Sequence, residues 1–566
     1  MSAQHDLIIV GGGIAGLTAA VRAIELGIQP LVLEKESQDV YPCNSRQSGG
    51  VIHIGFLDPY RQDRSLMDNI ETRTGGDHDP VLADALIKNG WRFLDWLKAQ
   101  NTDFISFNEQ EGYRWCIAPP RALRAGVDWE GRGPDLLLRR LVSKLSNYGD
   151  IFRQGVKATS LIMENGTCKG IRAIAGTREI IFKANNVLLA DGGFQFNRKL
   201  FEEFIGGKFD HTFQRGARTG TGDGIKMAHA AGAKLSGMDK FYGHLLSADA
   251  VNSDKLWPYP ELDAVATAGI VIDSFGKRVA DEGKNGVYLT NALAKSNSEP
   301  PFFIICDASI WESAGRSARI PANPLLEEAG GTVFKSDTLE ELAEAIGVPV
   351  KEFVNCVAKY NEAIDANKTS ELLIPRSQNI IPYKINTAPF IAIPTIPGIT
   401  YTMGGIVTDE KAQVLNENNM VIPGLLAAGA TTGGLEGGGQ AAYIGGLMKS
   451  GVFGMIAAEE VAKKNDKLDV SKKEIPIEPK QNREPFSYSQ KRGLVQFPVL
   501  RFLVSYGKTF SLISAFLAFI LAIWLGEPLL GLKAIPLGIF LFFVVGVIGI
   551  VFTELLRMIV KLLLPD

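Results

Sequence analysis

Cysteine and histidine are scarce in this sequence, and neither residue type is grouped. The 566 residues include five cysteines and six histidines, and no two cysteines have CxxC spacing. This scatter excludes a disulfide scaffold, a zinc ribbon, an iron–sulfur cluster and a CxxCH haem site, so we predict no metal. The net charge of −3 excludes an overall attraction for nucleic acid. The first residues lack the segments of a signal peptide, from which we expect a reducing compartment.

Glycine, in contrast, is abundant, with 60 residues, above the usual share of about 7%. The glycines form clusters and do not recur at every third position, which excludes collagen. Clustered glycine allows a backbone to approach a bound molecule closely, so we expect a ligand site. The length predicts about three or four structural units with a large core.

The first glycine cluster follows a short apolar run, DLIIV at 6–10, which predicts a buried strand. The cluster reads Gly11-Gly12-Gly13-Ile14-Ala15-Gly16, and an alanine-rich helix and a second strand ending at Glu34 come next. In a dinucleotide fingerprint these glycines permit a tight turn, close approach to a pyrophosphate and helix–strand packing, while the acid binds ribose hydroxyls. The alternative is a purely structural glycine turn.

Three further clusters, at 49–50, 192–193 and 424–451, indicate which dinucleotide is bound. FAD is long and flat, and it needs backbone contacts along its ribityl chain and flavin ring as well as its pyrophosphate. Several distant glycine turns that converge on one crevice suit FAD better than NAD, so we predict FAD.

The order of the motifs resembles a known family. The chain contains DLIIVGGGIAGL, VLLADGGF, RTGTGDGIKMAHAAGAKL, GKRVADE, YTMGGIVTD and IPGLLAAGATTGG between about residues 5 and 460. This series is similar to the fumarate reductase/succinate dehydrogenase flavoprotein superfamily, which includes 3-ketosteroid and tricarballylate dehydrogenases. The residues that follow place the chain nearer to those dehydrogenases than to true fumarate reductases.

The resemblance implies an α/β fold: a Rossmann-like FAD-binding domain in two segments, 1–235 and 381–462, and an α+β capping domain at 236–380. Covalently flavinylated members carry a histidine where this chain has Cys43, so the resemblance implies non-covalent FAD. The predicted cofactor-binding residues are Gly11, Gly13, Ile14, Ala15, Gly16, Glu34, Lys35, Ser48, Gly49, Gly50, Val156, Ala190, Asp191, Gly192, Gly193, Asp223, Gly429, Ala430 and Ala442.

The substrate residues of fumarate reductases are mostly missing. Trp311 stands where they carry an acid arginine, Tyr401 stands where they carry a histidine, and the stretch 437–443 lacks their second arginine. An apolar, aromatic pocket is therefore predicted, because a dicarboxylate needs charge-assisted contacts. Arg316 and Arg319 lie a few residues beyond Trp311, and a shifted alignment would return one of them to the site.

Ketosteroid dehydrogenases use tyrosines to move the substrate proton, which makes tyrosines the catalytic candidates here. Tyr401, beside the TMGG motif, is the first choice, and Tyr288 and Tyr443 are the others. His244 matches the first substrate histidine of the family. For each tyrosine the alternative is a packing residue with a hydrogen-bonded hydroxyl.

The C-terminal part predicts a membrane anchor. A charged linker is expected at 463–507 and a two-helix transmembrane hairpin at 508–560, with uncharged spans at 509–526 and 534–553. Basic residues outside the spans predict a multi-pass membrane protein whose catalytic domain faces the cytoplasm. The alternative is two buried helices of a globular domain.

Three functions compete. The first is a membrane-anchored FAD oxidoreductase that dehydrogenates or reduces a C–C bond beside a carbonyl in a hydrophobic, ketosteroid-like substrate. Its predicted partners are that substrate, the lipid bilayer and a membrane quinone or separate electron carrier, without nucleic acid. The second is a fumarate-reductase-like enzyme for a small unsaturated acid, with Arg316 or Arg319 as the clamp. The third is a flavin subunit that relays electrons in a membrane complex.

Overall fold

The computed structural model describes residues 4–61, 63–107, 111–465, 486–488, 511–521, 523–525 and 534–563. The chain divides into two compact units. One comprises residues 1–105 and 109–485, and the other comprises 106–108 and 486–566. The predicted linker 463–507 lies almost entirely outside the described residues.

The described strands are β1 (Gln4–Val10), β2 (Pro30–Leu33), β3 (Phe104–Phe107), β4 (Cys116–Ile117), β5 (Phe152–Arg153), β6 (Val156–Glu164), β7 (Thr167–Ala175), β8 (Arg178–Leu189), β9 (Phe213–Gln214), β10 (Leu235–Ser236), β11 (Phe241–Ser247), β12 (Ile270–Ile272), β13 (Phe302–Asp307), β14 (Phe334–Ser336), β15 (Phe390–Thr402), β16 (Gly405–Ile406), β17 (Gln413–Leu415), β18 (Val421–Ala427) and β19 (Phe486–Tyr488).

The described α-helices are α1 (Ile14–Glu25), α2 (Asn44–Gln47), α3 (Ser65–Thr74), α4 (Pro80–Ala99), α5 (Gly133–Ser146), α6 (Arg198–Leu200), α7 (Asp223–Ala230), α8 (Asp263–Ala268), α9 (Gly286–Ala294), α10 (Ala308–Ser313), α11 (Ala322–Glu328), α12 (Leu339–Ile346), α13 (Val350–Asp365), α14 (Gly446–Lys464) and α15 (Ala534–Leu563).

An eight-stranded sheet organises the first unit, with the order β17-β18-β8-β1-β2-β5 and with β7 and β6 branching from β8. The pairs β1–β2, β1–β8, β8–β18 and β2–β5 are parallel. The residues of β1 and β2 are apolar because helices cover both faces of a parallel sheet. Helix α1 packs against α14 on one face, and their small residues allow close contact: a Cβ on Gly454 would lie 2.3 Å from the carbonyl oxygen of Ala15.

The parallel strands determine where a ligand binds. The carboxyl ends of β1, β2, β8 and β18 meet at one edge of the sheet, since their registers align Val10 with Leu33 and Leu189 and align Leu189 with Ala427. Of the four predicted glycine clusters, one begins directly after β1, one begins three residues after the end of β8, and one begins within β18 and continues beyond it. This edge is the place where open α/β sheets bind dinucleotides.

A second sheet holds the order β11-β15-β13-β12, and β14 and β9 also pair with β15. Its core consists of buried aliphatic side chains of β12 and β13 and the inward faces of the helices α8 to α13. Strand β15 is 13 residues long and ends at Tyr401-Thr402, so it connects this core to the sheet edge described above. The predicted boundaries at 235/236 and 380/381 stay predictions.

The predicted transmembrane hairpin and membrane location are wrong. In the part of the chain that the structure describes, no helix combines the length and the apolarity needed to cross a membrane. The prediction relied on the absence of charge, which is necessary for a span but does not by itself give a described helix with both the required length and the required apolarity.

Candidate active site

The first glycine turn has the geometry that a dinucleotide requires. Gly11 has φ +104°, and a Cβ there would lie 2.5 Å from the carbonyl oxygen of Ala190, so only glycine fits. A Cβ on Gly16 would lie 2.0 Å from the carbonyl oxygen of Gly11. Gly13 differs, because the nearest atom to its Cβ position, Ser45 Oγ, is 3.3 Å away. Gly11 and Gly16 therefore have no room for a side chain, whereas Gly13 has more space.

Glu34 follows β2 and is buried beside this turn. Its carboxylate accepts hydrogen bonds from the backbone N–H of Gly12 at 2.8 Å and of Glu36 at 2.9 Å. Burial raises the pKa of Glu34, and the two backbone donors oppose that shift. The carboxylate thus lies at the predicted ribose position.

The turn after β8 carries an acid with unused hydrogen-bonding capacity. Asp191 Oδ2 accepts the backbone N–H of Gly224 at 2.7 Å, whereas Oδ1 has no partner among the described residues. Burial raises the pKa of Asp191 to about 6. Gly192 has φ +87° and nothing within 4 Å of its Cβ position. This turn therefore presents an unbonded oxygen and an open face to the same edge of the sheet.

Lys35, the residue after Glu34, lies close to Asp223. Lys35 Nζ donates to the carbonyl oxygen of Thr219 at 2.6 Å and to Thr221 Oγ1 at 2.7 Å, and it lies 3.5 Å from Asp223 Oδ2. The pKa of Asp223 falls to about 2, because Thr221 and neighbouring lysines outweigh the effect of burial. Val156 is attached to β2 through its N–H, which donates to the carbonyl oxygen of Glu34.

The remaining predicted cofactor residues lie in further turns, and we refer to all of these turns together as the cofactor cradle. Gly429 has φ +80° and lies against Ala15, and the loop that contains Ala442 is closed by paired backbone hydrogen bonds with Gly437. Gly49 has nothing within 4 Å of its Cβ position. The turns after β1, β8 and β18, the open glycines and the unbonded Asp191 oxygen fit a molecule with the length and hydroxyl groups of FAD.

Beside this cradle lies a buried ion pair that the sequence did not reveal. The side chain of Glu436 is fully buried, and its carboxylate binds Lys449 Nζ at 2.8 Å, the Tyr401 hydroxyl at 3.0 Å and the backbone N–H of Ile444 at 3.0 Å. Burial acts to raise the pKa of Glu436, but Lys449 and the backbone donors hold it below its usual value. Glu436 is therefore an ionised acceptor that orients Tyr401.

Three tyrosine rings form the wall next to Glu436. Tyr242 pairs directly with Tyr401 across the β11–β15 ladder, and their ring centroids are 5.4 Å apart. The ring of Tyr443 stacks on Tyr242 at 4.1 Å with an interplanar angle of 19°. Burial raises the pKa of all three hydroxyls, so each remains protonated at physiological pH. The structure thus brings together the predicted Tyr401 and Tyr443 through Tyr242.

The predicted His244 joins the same group. Its Nε2 lies 2.8 Å from the Tyr242 hydroxyl, and its Nδ1 lies 2.6 Å from Asp263 Oδ2. Asp263 is the first residue of α8, and its other oxygen accepts the backbone N–H of Leu245 at 2.8 Å. Glu261 Oε1 is 3.6 Å from Nε2.

Two arginines extend this arrangement toward the predicted Ser48-Gly49-Gly50 turn. Arg215 pairs with Glu261 and lies 4.9 Å from the centroid of the Tyr259 ring, and Arg121 lies 4.7 Å from the same centroid. Arg121 Nη2 donates to the carbonyl oxygen of Gln47 at 2.9 Å, one residue before the predicted Ser48-Gly49-Gly50 turn.

Arg121 is the less compensated of the two. Its Nε and Nη1 have no hydrogen-bond partner within the described ranges, although the residue is only 6% exposed. Burial, opposed in part by Tyr259, lowers the pKa of its guanidinium. A buried cation with unbonded donors is costly unless an anion joins it.

The arginines noted from the sequence separate in the structure. Arg316 is exposed and pairs with Glu312 at 2.8 Å. Arg319 is partly buried and lies near Cys116 and Tyr113. Burial raises the pKa values of the Cys116 thiol and the Tyr113 hydroxyl, and the charge of Arg319 opposes that shift. Trp311 is 4% exposed and packs in the core of the second sheet.

Tyr288 lies apart from the tyrosine group in the described contacts. Lys284 Nζ lies 4.2 Å above its ring, and its backbone N–H donates to Asn285, which caps α9.

Sequence reasoning missed five residues of the site: Tyr242, Glu436, Lys449, Arg121 and Arg215. Alternation along β11 would have placed Tyr242 on the same face as His244, and a lysine on the apolar face of α14 was an available signal for the ion pair. Nothing in the sequence distinguishes Arg121 or Arg215 from surface arginines.

Comparison with known proteins gives one family match. The family described as FAD binding domain matches residues 6–442. The chain is 26% identical to the NADH:acrylate oxidoreductase of Vibrio harveyi, over 81% of this chain and 50% of that protein, so it spans half the length of this relative. It is 27% identical to the fumarate reductase (cytochrome) of Shewanella frigidimarina, over 82% of this chain and 79% of that protein.

A similar solved structure is the 3-ketosteroid Δ1-dehydrogenase of Sterolibacterium denitrificans in complex with 1,4-androstadiene-3,17-dione. It superposes with a TM-score of 0.63 at 20% identity and covers 81% of this chain and all of that chain. At this identity the likeness concerns the fold alone.

Proposed function

Since the chain belongs to the FAD binding domain family and is an FAD-dependent oxidoreductase, we propose that it reduces the carbon–carbon double bond of an unsaturated carboxylic acid. The predictions of the flavoprotein superfamily, of FAD and of an oxidoreductase acting on C–C bonds are confirmed. The substrate class is the open question. The observation that carries the proposal is the buried guanidinium of Arg121 with two unbonded nitrogens.

A carboxylate substrate accounts for the charges at the site. Arg215 already has Glu261 as a partner. Among the described residues, Arg121 donates to a backbone carbonyl oxygen and lies over the face of Tyr259, and Asp128 and Glu261 add a Coulombic attraction. A carboxylate would accept charge-assisted hydrogen bonds from the two unbonded nitrogens of Arg121. A ketone oxygen could accept one of these bonds but carries no charge, which makes a neutral ketosteroid the less suitable ligand.

The aromatic walls define the rest of the proposed substrate. Tyr242 stacks on Tyr443, and the ring of Tyr259 lies next to Arg121 and Arg215. A carbon skeleton held by Arg121 would contact these rings, which exclude water. We therefore expect an acid that bears an apolar or aromatic group. The names of two similar proteins, NADH:acrylate oxidoreductase and fumarate reductase, also refer to unsaturated acids.

The chemistry divides between cofactor and chain. FAD, when bound and reduced, supplies a hydride to the double bond. The chain holds the carboxylate with Arg121, aligns the double bond against the tyrosine rings, and provides a proton for the second carbon from a hydroxyl of the tyrosine group.

The test compares two molecules that differ only in the group facing the arginines. Anaerobically reduced enzyme is mixed with cinnamate or with benzylideneacetone, its methyl ketone analogue, and flavin reoxidation is followed by stopped flow. We expect cinnamate to reoxidise the flavin at least ~10-fold faster, since a charge-assisted hydrogen bond contributes about 1.5–3 kcal/mol. Faster reoxidation by the ketone, or by 4-androstene-3,17-dione, would support the ketosteroid-like function instead.

A variant locates the effect. Arg121→Gln should lower kcat/KM for cinnamate by about 10- to 100-fold and leave the rate with benzylideneacetone nearly unchanged. Arg124→Gln is the matched control, because Arg124 lies three residues away and its side chain is 66% exposed. Equal losses with acid and ketone would contradict a carboxylate contact.

A further inference from the structure

The tyrosine group consists of Tyr242, Tyr401 and Tyr443, and the hydrogen bonds of the three hydroxyls decide which of them can donate a proton and be reprotonated. The Tyr401 hydroxyl donates to Glu436, which Lys449 holds ionised. Glu436 carries no proton to pass on, so the described hydrogen bonds of Tyr401 include no partner that would restore a proton it had given away. Tyr443 stacks on Tyr242, and the described contacts link its hydroxyl to no imidazole.

Within the described contacts, Tyr242 alone among the three has a hydroxyl bonded to an imidazole. The hydroxyl lies 2.8 Å from Nε2 of His244, and an imidazole can both donate and accept a proton. We propose that Tyr242 is the proton donor to the substrate carbon, and that His244, oriented by Asp263, reloads it. The proposal rests on the proposed function only in requiring a proton at carbon.

The orientation of His244 follows from its partners. Nδ1 faces Asp263 Oδ2 at 2.6 Å, and an ionised carboxylate only accepts, so the proton of the neutral ring sits on Nδ1. Nε2 is then the acceptor of the Tyr242 hydroxyl. When His244 is protonated, Nε2–H donates to the Tyr242 oxygen instead, and the hydroxyl proton of Tyr242 turns toward the tyrosine-lined space.

The step balances as follows. The hydride forms a C–H bond at one alkene carbon and brings both electrons, while the π bond breaks. The Tyr242 O–H bond breaks as its proton forms a C–H bond at the other carbon, and Nε2–H of His244 returns a proton to the tyrosinate. Solvent then protonates Nε2, which lies 3.6 Å from the partly exposed carboxylate of Glu261. In the dehydrogenation direction neutral His244 takes the proton.

Several charged or titratable groups face this pair. Asp263 begins α8, Glu261 precedes α8, Arg215 follows β9, and Tyr401 ends β15. Arg215 pairs with Glu261, and Asp263 holds Nδ1 of the imidazole.

The first experiment separates proton delivery to carbon from electron transfer. Reduced holoenzyme is reoxidised by cinnamate or benzylideneacetone, whichever wild type uses faster, and separately by ferricyanide, which takes electrons without protonating carbon. Tyr242→Phe should slow reoxidation by the carbon acceptor about 10²- to 10⁴-fold and leave the ferricyanide rate within twofold. Tyr148→Phe, which removes a hydroxyl from an exposed surface tyrosine, is the control.

His244 and Asp263 are positioning residues, so their variants need a different signature. His244→Gly should lower kcat more than it changes KM, and added imidazole should restore part of the rate. Asp263→Asn should slow the carbon acceptor by roughly tenfold. Bound flavin per polypeptide shows that each variant folds.

A measurement without substrate checks the hydrogen-bond chain itself. Nitrogen-15 spectra of histidine in the oxidised holoenzyme should show His244 as the Nδ1–H tautomer, and Tyr242→Phe should shift the Nε2 resonance. If neither carbon acceptor reoxidises wild type, the proposed function fails, while the spectra still test the hydrogen bonds that link Asp263, His244 and Tyr242. Full activity of Tyr242→Phe with loss in Tyr401→Phe, or an unchanged Nε2 resonance, would overturn the relay.

Discussion

The two halves of the active site are built in different ways. The cofactor half consists of backbone turns after β1, β8 and β18, where glycines exclude a Cβ and one parallel sheet aligns the turns. The substrate half consists of side chains from at least five separate segments, joined by hydrogen bonds and ring contacts. A backbone site is specified locally in the sequence, whereas a side-chain network exists only after the chain has folded.

The largest expected effect breaks the backbone half. Gly16→Ala should abolish stable flavin binding, because the added methyl group would lie 2.0 Å from the carbonyl oxygen of Gly11. The ratio of flavin to protein absorbance after gel filtration measures the loss. Gly439→Ala makes the same change in the loop of the substrate half, where nothing lies within 4 Å, and it should keep its flavin. Full flavin content in Gly16→Ala would show that the turn tolerates a side chain.

The next effect concerns the side-chain half. Lys449→Met leaves Glu436 buried without its cation, and we expect the free energy of unfolding to fall by about 3–5 kcal/mol. Urea denaturation followed by fluorescence measures it. Lys464→Met, near the exposed end of the same helix, should change stability little, since its side chain is 41% exposed. The double variant Glu436→Gln/Lys449→Met should recover most of the loss, and a loss equal to the sum of the single variants would contradict the pairing.

Asp191 is an exception to this division, because it contributes a side chain to the cofactor half that is otherwise built from backbone turns. Its pKa is raised to about 6 by burial, so the folded state binds more protons than the unfolded state between about pH 4 and 6, and stability falls as pH rises through that window. Asp191→Asn should therefore stabilise the flavin-free protein at pH 7 by about 3 kcal/mol. Denaturation at pH 5 and pH 7 checks the sign, and a destabilised variant at pH 7 would contradict it.

The smallest effect comes from a packed histidine in the substrate half. Burial lowers the pKa of His53 to about 3, while the unfolded chain protonates near pH 6.5, so stability falls as pH drops between these values. His53→Gln should remove up to about 1 kcal/mol of that loss per pH unit. Stability curves of wild type and variant at pH 7, 6 and 5 should converge toward acid. Parallel curves would place the acid sensitivity elsewhere.

The reach of sequence reasoning follows the same division. The strand before Gly11, the acid at Glu34 and the turn at Asp191 were predictable because a fixed spacing implies a fixed backbone geometry. Tyr401 and His244 were found through a family motif. Arg121 was invisible, since a buried arginine and a surface arginine have the same local sequence. The hairpin was wrong because an uncharged run was equated with a spanning helix.

The burial of Trp311 has a consequence for classifying similar chains. If arginines are counted only at the motif positions of fumarate reductases, this chain is assigned an uncharged pocket, because Trp311 occupies the position of the arginine. A guanidinium acts on its ligand through distance and surroundings and not through its place in the chain. Substrate preference can therefore persist while its charged residue migrates to another loop. Chains with the same tryptophan should therefore be classified by which cationic side chains lie near the site in space, beginning with the positions of Arg121 and Arg215.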